Sequence, residues 1–268
     1  MSRLSVLCTT MHQTDFSKFH EMNIRSDAIF ANQCDRNEVT ETNIDGFRVK
    51  MISTNTVGVG LNRNISFLAS DTEIVLFADD DVRYNDDYVE QVLKAFEDLP
   101  KAEMIAFGID ITKDGKVVEP HRNPTARTHI WNCLKYGACV LAVRASALRR
   151  ENILFTTLFG GGCIYGSGED SMFVLDCVRS GMKVYSHSYV LGQCSQDSST
   201  WFTGFHEKYF YDKGAWVAAA FPRLGFLLRH YFALHFCKST ELSYRQCCRL
   251  MKMGQKGFAK LLTWQNTR

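Results

Sequence analysis

The sequence predicts an α/β fold built on an open, mostly parallel sheet with helices on its faces. Short apolar runs alternate with helical patterns through the first third of the chain, which is typical of βαβ units. The runs are continuous rather than alternating, as expected for strands that are covered on both faces. The predicted strands are Leu4–Thr9, Asp27–Ala31, Lys50–Ser53 and Glu73–Phe77.

The segments between these strands carry helical spacing. Leu61, Ile65 and Leu68 fall on one face of a predicted helix, and a second helix follows the fourth strand and ends near Pro100. Further strands are predicted at Met104–Ile109 and Ala138–Val143. The first 100 residues therefore predict a nucleotide-binding half, and residues 101–205 complete the same domain as its acceptor half.

The composition indicates a soluble globular protein, with 46% hydrophobic and 22% charged residues in a chain of 268. Ten cysteines occur without a CxxC pair or a leading signal pattern, which favours a reducing cytoplasm over a disulfide framework. Residues 206–268 are predicted to form a basic, amphipathic helical extension.

The C-terminal region is strongly basic, because residues 221–268 contain nine Lys or Arg and the single acid Glu241. Such a tail on an acidic body suggests an anionic surface as partner, either phospholipid headgroups or nucleic acid, with a solvated basic helix face as the alternative. No nucleic-acid partner is expected, since the acidic body would repel phosphate. Phe221–Phe236 is apolar but too often interrupted for a bilayer span, so it lies in the membrane interface or packs on the core.

Three consecutive acids, Asp79, Asp80 and Asp81, follow the apolar strand directly. Ligands of open parallel sheets bind beyond the carboxyl ends of the strands. Two like charges about 4 Å apart repel by roughly 4 kcal/mol at an effective dielectric near 20, and a divalent cation would relieve this repulsion. Acid clusters also occur in turns and helix caps, but the preceding buried strand favours a metal site.

A glycine-rich stretch, Phe159–Gly168, is predicted to be an active-site loop because so flexible a backbone is rare inside regular elements. It leads into Glu169 and Asp170 at the start of a predicted helix. The helix dipole would keep these acids ionised near neutral pH, which suits a general base; ordinary N-capping is the alternative.

Three motifs together, Gly60–Asn64, the acid triplet and Gly168-Glu169-Asp170, resemble family 2 glycosyltransferases of the inverting GT-A type. The resemblance runs from about Leu4 to His187. It implies a GT-A sheet and transfer of a sugar from a nucleotide-diphosphate donor, by default a UDP-sugar, to a carbohydrate hydroxyl with inversion. The acceptor would belong to a polysaccharide or glycan, with a lipid-linked form as one option.

The resemblance also implies residue roles. Asp170 would be the catalytic base and Glu169 would orient it or the acceptor. Asp79 and Asp81 would bind Mn²⁺ or Mg²⁺, with His187 or His206 as candidates for a third ligand. The residues implied for the nucleotide sugar are Thr9, Gln33, Asp35, Arg63, Asp79 and Asp80.

Trp201, Phe202 and Glu207 form an aromatic and polar cluster in the sequence. Aromatic faces stack on sugar rings, so we assign this cluster to the acceptor, with burial of the aromatic residues in a core as the alternative. The protein is expected to be cytoplasmic, with peripheral attachment to the cytoplasmic membrane face as an option.

Other functions remain open at this point. A nucleotidyltransferase would use a similar sheet, but its glycine-rich loop after the first strand has no counterpart in Thr9–Asp15. An aspartyl phosphatase needs its Asp-x-Asp motif near the first strand. A non-catalytic glycan-binding partner of a synthase complex is a further alternative.

Overall fold

The computed structural model describes residues 2–195 and 204–265. They form two compact units: residues 2–157 with 169–195, and residues 158–168 with 204–265. The predicted domain boundary between residues 205 and 206 stays a prediction.

The first unit is built on one sheet, which has eleven strands within the described residues. In chain order these are β1 (Leu4–Met11), β2 (Asp27–Gln33), β3 (Glu38–Ile44), β4 (Phe47–Thr54), β5 (Ile74–Asp79), β6 (Val82–Tyr84), β7 (Met104–Lys113), β8 (Lys116–His121), β9 (Ala126–Arg127), β10 (Leu141–Arg144) and β11 (Val184–Ser195). Their order is β3-β4-β2-β1-β5-β10-β7-β11-β6, with β8 paired to β7 and β9 to β11.

Most of the long strands of this sheet run parallel. β4, β2, β1 and β5 form a parallel set, and β7 and β11 form a second parallel pair. The edge strand β3 and the shorter strands β6, β8, β9 and β10 join antiparallel. Leu4 to Thr10 of β1 are all buried, as the continuous apolar run predicts. The predicted α/β sheet is therefore confirmed.

Five strands, β3, β6, β8, β9 and β11, were missed by the sequence prediction, and β3 shows why. β3 consists of alternating acidic, amide and β-branched residues, and it lies at the edge of the sheet with most side chains exposed. It therefore lacks the apolar run from which strands were predicted. The hairpin to β4 turns at Asp45 and Gly46, which both adopt positive φ, so an Asp-Gly turn signal was present in the sequence.

Helices cover the sheet, and their bounds in this unit are α1 (Ser17–Glu21), α2 (Val59–Leu68), α3 (Tyr88–Asp98), α4 (Ala145–Glu151) and α5 (Glu169–Arg179). The strand predicted at Ala138–Val143 is a correction, because Ala138–Val140 forms a 3-10 turn and only Leu141 onward is strand. This turn follows Gly137 and brings the chain into β10.

An aromatic cluster joins α5 to β5 within the core. The rings of Phe155 and Phe173 stack with centroids 3.8 Å apart, and Phe77 of β5 meets both rings edge-on. All three side chains are buried. Because Phe173 lies on α5, this packing fixes the helix whose first residues are Glu169 and Asp170.

The second unit comprises the glycine-rich loop and three helices, α6 (Glu207–Ala220), α7 (Gly225–Phe236) and α8 (Tyr244–Gln265). α6 and α8 approach closely at two glycines, because a Cβ added at Gly214 would lie 2.1 Å from the carbonyl oxygen of Met251 and one at Gly254 would lie 1.9 Å from that of Tyr211. Within the described residues, every helix is too short or too polar to cross a membrane.

The loop is tied to α6 by side-chain hydrogen bonds. The buried Asp212 carboxylate accepts from the Gly166 amide at 2.8 Å and from Lys208 Nζ at 2.5 Å, and Trp216 Nε1 donates to the Gly168 carbonyl at 3.1 Å. Gly168 adopts φ +114°, and a Cβ there would lie 2.3 Å from the indole ring of Trp216. A glycine is therefore required where the loop passes α6.

Truncation of Phe173 tests the packing of the aromatic cluster that it forms with Phe77 and Phe155. We expect Phe173→Ala to lower the free energy of unfolding by about 3–5 kcal/mol, because the lost ring leaves a cavity between Phe77 and Phe155. The matched control is Phe226→Ala on α7, an exposed ring, for which the change should stay within about 0.5 kcal/mol. Urea unfolding measures both, and equal losses would contradict the packing described.

Candidate active site

The acid triplet lies in a turn held by strands on both sides. Asp79 is the last residue of β5, and Asp80 and Asp81 form the turn that leads into β6. β6 pairs with the end of β11, where Cys194 lies opposite Val82. The three carboxylates thus sit at the carboxyl end of a central parallel strand, as the sequence predicts.

Residues at the end of β1 hold two of these acids. Thr9 Oγ1 donates a hydrogen bond to Asp79 Oδ1 at 3.0 Å, and Thr10 Oγ1 donates to Asp80. Lys18 Nζ donates to the Asp80 carbonyl at 3.3 Å. β1 therefore orients the acids, and the contact predicted between Thr9 and a nucleobase stays a prediction.

The Gly60–Asn64 motif of α2 fixes the helix against the segment before the loop. A Cβ added at Gly60 would lie 2.3 Å from the Thr156 carbonyl oxygen, so only glycine permits this approach. Asn64 both donates to the Phe155 carbonyl and accepts from the Phe155 amide, each at 2.8 Å. These contacts fix the position from which Arg63 extends.

Arg63 joins the acid triplet to the acids of α5. Its Nη2 donates to Asp79 Oδ1 at 2.9 Å, and its Nη1 donates to Asp170 Oδ1 at 2.5 Å and Glu169 Oε1 at 3.1 Å. The side chain is only 3% exposed. Burial would lower the pKa of Arg63, but the charges of Asp170, Asp79 and Glu169 outweigh it and raise the pKa. Two motifs more than eighty residues apart thus meet on one guanidinium group.

The side chain of Asp170 is mostly buried but can still be reached by solvent. Burial raises the pKa of Asp170 to about 7; the Arg63 charge opposes this rise, and the Glu169 and Asp79 charges add to it. The expectation that the helix dipole keeps this acid fully ionised at neutral pH is therefore not met, because desolvation outweighs it. The side chain stays 28% exposed, and the Ala138 amide donates to it.

The surroundings of Asp170 also leave room beside its second oxygen. A Cβ placed on Gly137 would lie 3.7 Å from Asp170 Oδ2, so a larger residue there would cover this atom. A carboxylate with a pKa near 7, oriented by Arg63 and open on one side, has the properties of a general base.

Asp81 is partly buried and has one carboxylate oxygen without a partner in the described residues. Burial, followed by the nearby Asp79 charge, raises the pKa of Asp81 to about 6, and a hydrogen bond with Cys194 partly offsets the rise. Its Oδ1 is buried without a hydrogen-bond partner in the described part of the chain. An unpaired buried carboxylate oxygen beside a second carboxylate fits a hard divalent cation.

A complete metal cage is not formed by side chains. Within residues 2–195 and 204–265, no three His, Cys, Asp or Glu side chains form a group that could hold a metal ion. Mg²⁺ commonly binds through one or two carboxylates and completes its shell with waters and substrate phosphates. Asp79 and Asp81 fit that type of site.

One of the two predicted histidine ligands, His187, lies away from the acids. It packs its ring 5.4 Å from that of Phe107, and it precedes Cys194 by seven residues, roughly 23 Å of strand at about 3.3 Å per residue. His206 belongs to the second unit, where it caps α6 by accepting from the Tyr209 amide, and its role as a metal ligand stays a prediction.

The structure also gives the positions of the residues predicted to contact the nucleobase and the acceptor. Gln33 ends β2 and its Oε1 accepts from the Gly58 amide at 3.1 Å, whereas Asp35 is exposed just beyond the strand. Glu207 is exposed in the first turn of α6. Trp201 and Phe202 lie outside the described residues.

Sequence reasoning missed three residues at the site. Lys18 of α1 contacts Asp80, although only its position after the first strand could have suggested this. Gly137 adjoins Asp170, and the half-buried thiol of Cys139 interacts electrostatically with Asp79 and Asp170. The apolar sequence around Cys139 gave no signal of this contact, since a thiol in such a run is typical of a core residue.

A comparison with protein-family models supports the predicted family. The glycosyl transferase family 2 model matches residues 27–154, a segment that contains Arg63 and the acid triplet and ends before Glu169. This match, over slightly less than half of the chain, agrees with the family predicted from the motifs. No curated protein matched the sequence.

The fold is similar to that of S. aureus TarS. The crystal structure of TarS 1–349 in complex with UDP-GlcNAc matches with a TM-score of 0.63 and 12% identity, over 96% of this chain and 92% of that one. TarS 1–349 alone matches with a TM-score of 0.57 and 12% identity, over 96% and 91%. Its complex with UDP gives 0.56 and 15%, over 88% and 72%. These matches confirm the GT-A fold.

Replacement of Arg63 tests the charge cluster that it forms with Asp79, Glu169 and Asp170. Arg63→Met leaves three carboxylates without a counter-ion, so we expect a loss of about 3–5 kcal/mol in the free energy of unfolding at pH 7. Because the Arg63 charge lowers the pKa of Asp170, its loss raises the folded-state pKa of Asp170 further above the unfolded value. The native state then binds more protons, and stability falls as pH increases through that window.

The measurement is urea unfolding at pH 5 and pH 7, with the larger loss expected at pH 7. Arg3→Met, which removes an exposed arginine paired with Glu73 and Glu97, is the matched control and should change little. A loss for Arg63→Met that does not depend on pH would show that packing, rather than charge, is the main contribution of Arg63.

Proposed function

We propose that this protein is a metal-dependent inverting glycosyltransferase that moves a sugar from a nucleoside diphosphate to a carbohydrate hydroxyl. One observation carries the proposal: Arg63 holds Asp79, at the predicted metal and nucleotide position, and Asp170, at the predicted base position, on a single buried guanidinium group. The distance between the two chemical roles is thereby fixed.

The donor is proposed to be a UDP-sugar. Support comes from the similar fold of TarS, for which crystal structures contain UDP-GlcNAc or UDP. Gln33 and Asp35, at the end of β2, are the proposed contacts to the base, together with Thr9 at the end of β1. Asp80 is proposed to lie beside the ribose.

Asp79 and Asp81 are proposed to bind Mn²⁺ or Mg²⁺. The unpaired Oδ1 of Asp81 supports this assignment, since a buried carboxylate oxygen without a donor is otherwise costly. The cation, when bound, would offset the negative charge that develops on the departing diphosphate. Lys18 is a second positive group at the turn, through its contact with the Asp80 carbonyl.

Asp170 is proposed to remove the proton from the acceptor hydroxyl. As that oxygen forms a bond with the anomeric carbon, the bond from the anomeric carbon to the diphosphate oxygen breaks, and the diphosphate leaves on the opposite face. A single displacement of this kind inverts the anomeric centre and needs no carboxylate nucleophile. Arg63 orients Asp170 through Oδ1, and Glu169 shares the same guanidinium group.

The acceptor is proposed to be a carbohydrate that contacts Trp201, Phe202 and Glu207. A lipid-linked glycan at the cytoplasmic face of a membrane would fit the basic C-terminal region, in which nine Lys or Arg accompany one acid over residues 221–268. The product would then be a longer polysaccharide or glycan at that surface.

Calorimetry of nucleotide binding tests the donor and the metal together. We expect UDP or a UDP-sugar to bind more tightly with Mn²⁺ than without it, and Asp81→Asn to abolish the metal-dependent part, because it removes one of two anionic ligands. The control is Asp86→Asn, an exposed acid that lies beyond β6. Nucleotide binding that is unchanged in Asp81→Asn would reject this metal site.

The pH dependence of transfer tests the base. We expect kcat/KM to rise with pH through an apparent pKa near 7 as Asp170 loses its proton. Asp170→Asn should lower kcat by about 10²–10⁴-fold and remove this rise, while nucleotide binding persists. Asp176→Asn, an exposed acid on the same helix, is the matched control. A rise that persists in Asp170→Asn would assign the base to another group.

A further inference from the structure

An exposed apolar face runs along α7 and the turn before it. Leu224, Leu227, Tyr231 and Leu234 follow one another at spacings of three, four and three residues, so they share one side of the helix. Their exposed fractions are 47%, 65%, 58% and 60%. We call these four residues the apolar α7 face.

The opposite side of α7 is fixed against α8. Ala233 is fully buried, Arg229 Nη1 donates to Gln255 Oε1 at 3.0 Å, and Gln255 Nε2 donates to the Gly225 carbonyl at 2.7 Å. These contacts set the rotation of the helix about its axis. The apolar α7 face is therefore presented outward by the packing of the second unit itself.

α8 carries a face of a different kind. Arg245, Arg249, Lys252, Lys256 and Lys260 are all exposed and recur at spacings of four, three, four and four residues, which places them on one side of the helix. We call them the cationic α8 face.

The other side of α8 is buried. Cys247, Met251, Gly254 and Phe258 recur at the same helical spacing and pack within the unit. The apolar side of α8 is thus already covered by other residues of the second unit. The cations are left to solvent, with no acid between residues 244 and 265.

The charges around the apolar α7 face select its occupant. Arg223 and Lys238 are exposed before and after it, and Glu241 is the only acid in residues 221–268. A second copy that paired its own apolar α7 face with this one would bring like charges together. An anionic bilayer surface instead accepts apolar side chains among its headgroups and attracts the cations around them.

We propose that the second unit binds anionic phospholipid surfaces through the apolar α7 face and the cationic α8 face. This inference deepens the proposed function, because it rests on transfer at a membrane surface and names the surface that holds the enzyme there. It requires no helix to span the bilayer, since insertion of leucine and tyrosine side chains at headgroup depth is sufficient.

Flotation with vesicles tests the cationic α8 face. The full-length protein should float with vesicles that contain phosphatidylserine in phosphatidylcholine, and less with pure phosphatidylcholine or at high salt. Lys252→Ser/Lys256→Ser/Lys260→Ser should weaken partitioning on the order of a hundredfold, at roughly fivefold for each cation. The control Lys101→Ser/Lys113→Ser/Lys116→Ser removes the same charge from exposed sites in the first unit and should bind as the wild type does.

The apolar α7 face has its own matched pair. Leu227→Ser/Leu234→Ser should reduce partitioning at least tenfold, whereas Val117→Ser/Val118→Ser, which changes two exposed residues of β8, should leave it unchanged. Light scattering on the same variants reports the oligomeric state. A wild-type dimer that becomes a monomer in Leu227→Ser/Leu234→Ser would assign the face to a second copy and overturn the proposal.

Binding to vesicles can be measured independently of catalysis. Asp170→Asn should float like the wild type, and the surface variants should bind UDP in solution as the wild type does, so failure of the enzyme and failure of the lipid surface are separable. A wild-type protein that does not float with anionic vesicles at low salt, or a cationic triple variant that floats equally well, overturns the inference.

Discussion

The buried charge of Arg63 is the interaction on which the site depends. Asp79, Glu169 and Asp170 come from β5 and α5, and without a cation between them their mutual repulsion would oppose the packing of the helix on the sheet. Gly60 and Asn64 place the arginine by fixing α2 against Thr156 and Phe155. The ion pairs that assemble the site therefore also hold α5 against β5.

Much of the fold could be predicted because its central strands are continuous apolar runs. β1, β2 and β5 were recognised in this way, and the acid triplet could be placed at the end of β5 from local pattern alone. β3 could not, since an edge strand has little apolar surface to bury and its sequence is polar. The 3-10 turn before β10 was missed because its residues are as apolar as those of the strand.

The positions of the acids in the site could be predicted from the sequence, but the pKa of Asp170 could not. The dipole of α5 suggested an ionised Asp170, but the pKa depends on burial and on Glu169 and Asp79, which no local pattern reveals. The contacts of Thr9 and Thr10 with the acids join segments some seventy residues apart. Long-range contacts of this kind follow from the sheet order, which the sequence leaves open.

The attachment of the glycine-rich loop to α6 has a consequence for how the chain can be divided. Asp212, Lys208 and Trp216 supply hydrogen bonds to Gly166, Ile164 and Gly168, and the loop continues directly into the helix that begins with Glu169. A protein shortened before α6 would lose these anchors although every acid of the site remained. The C-terminal helices are in this sense a scaffold for the loop, and a grafted or recombined version of the catalytic sheet would have to carry them along.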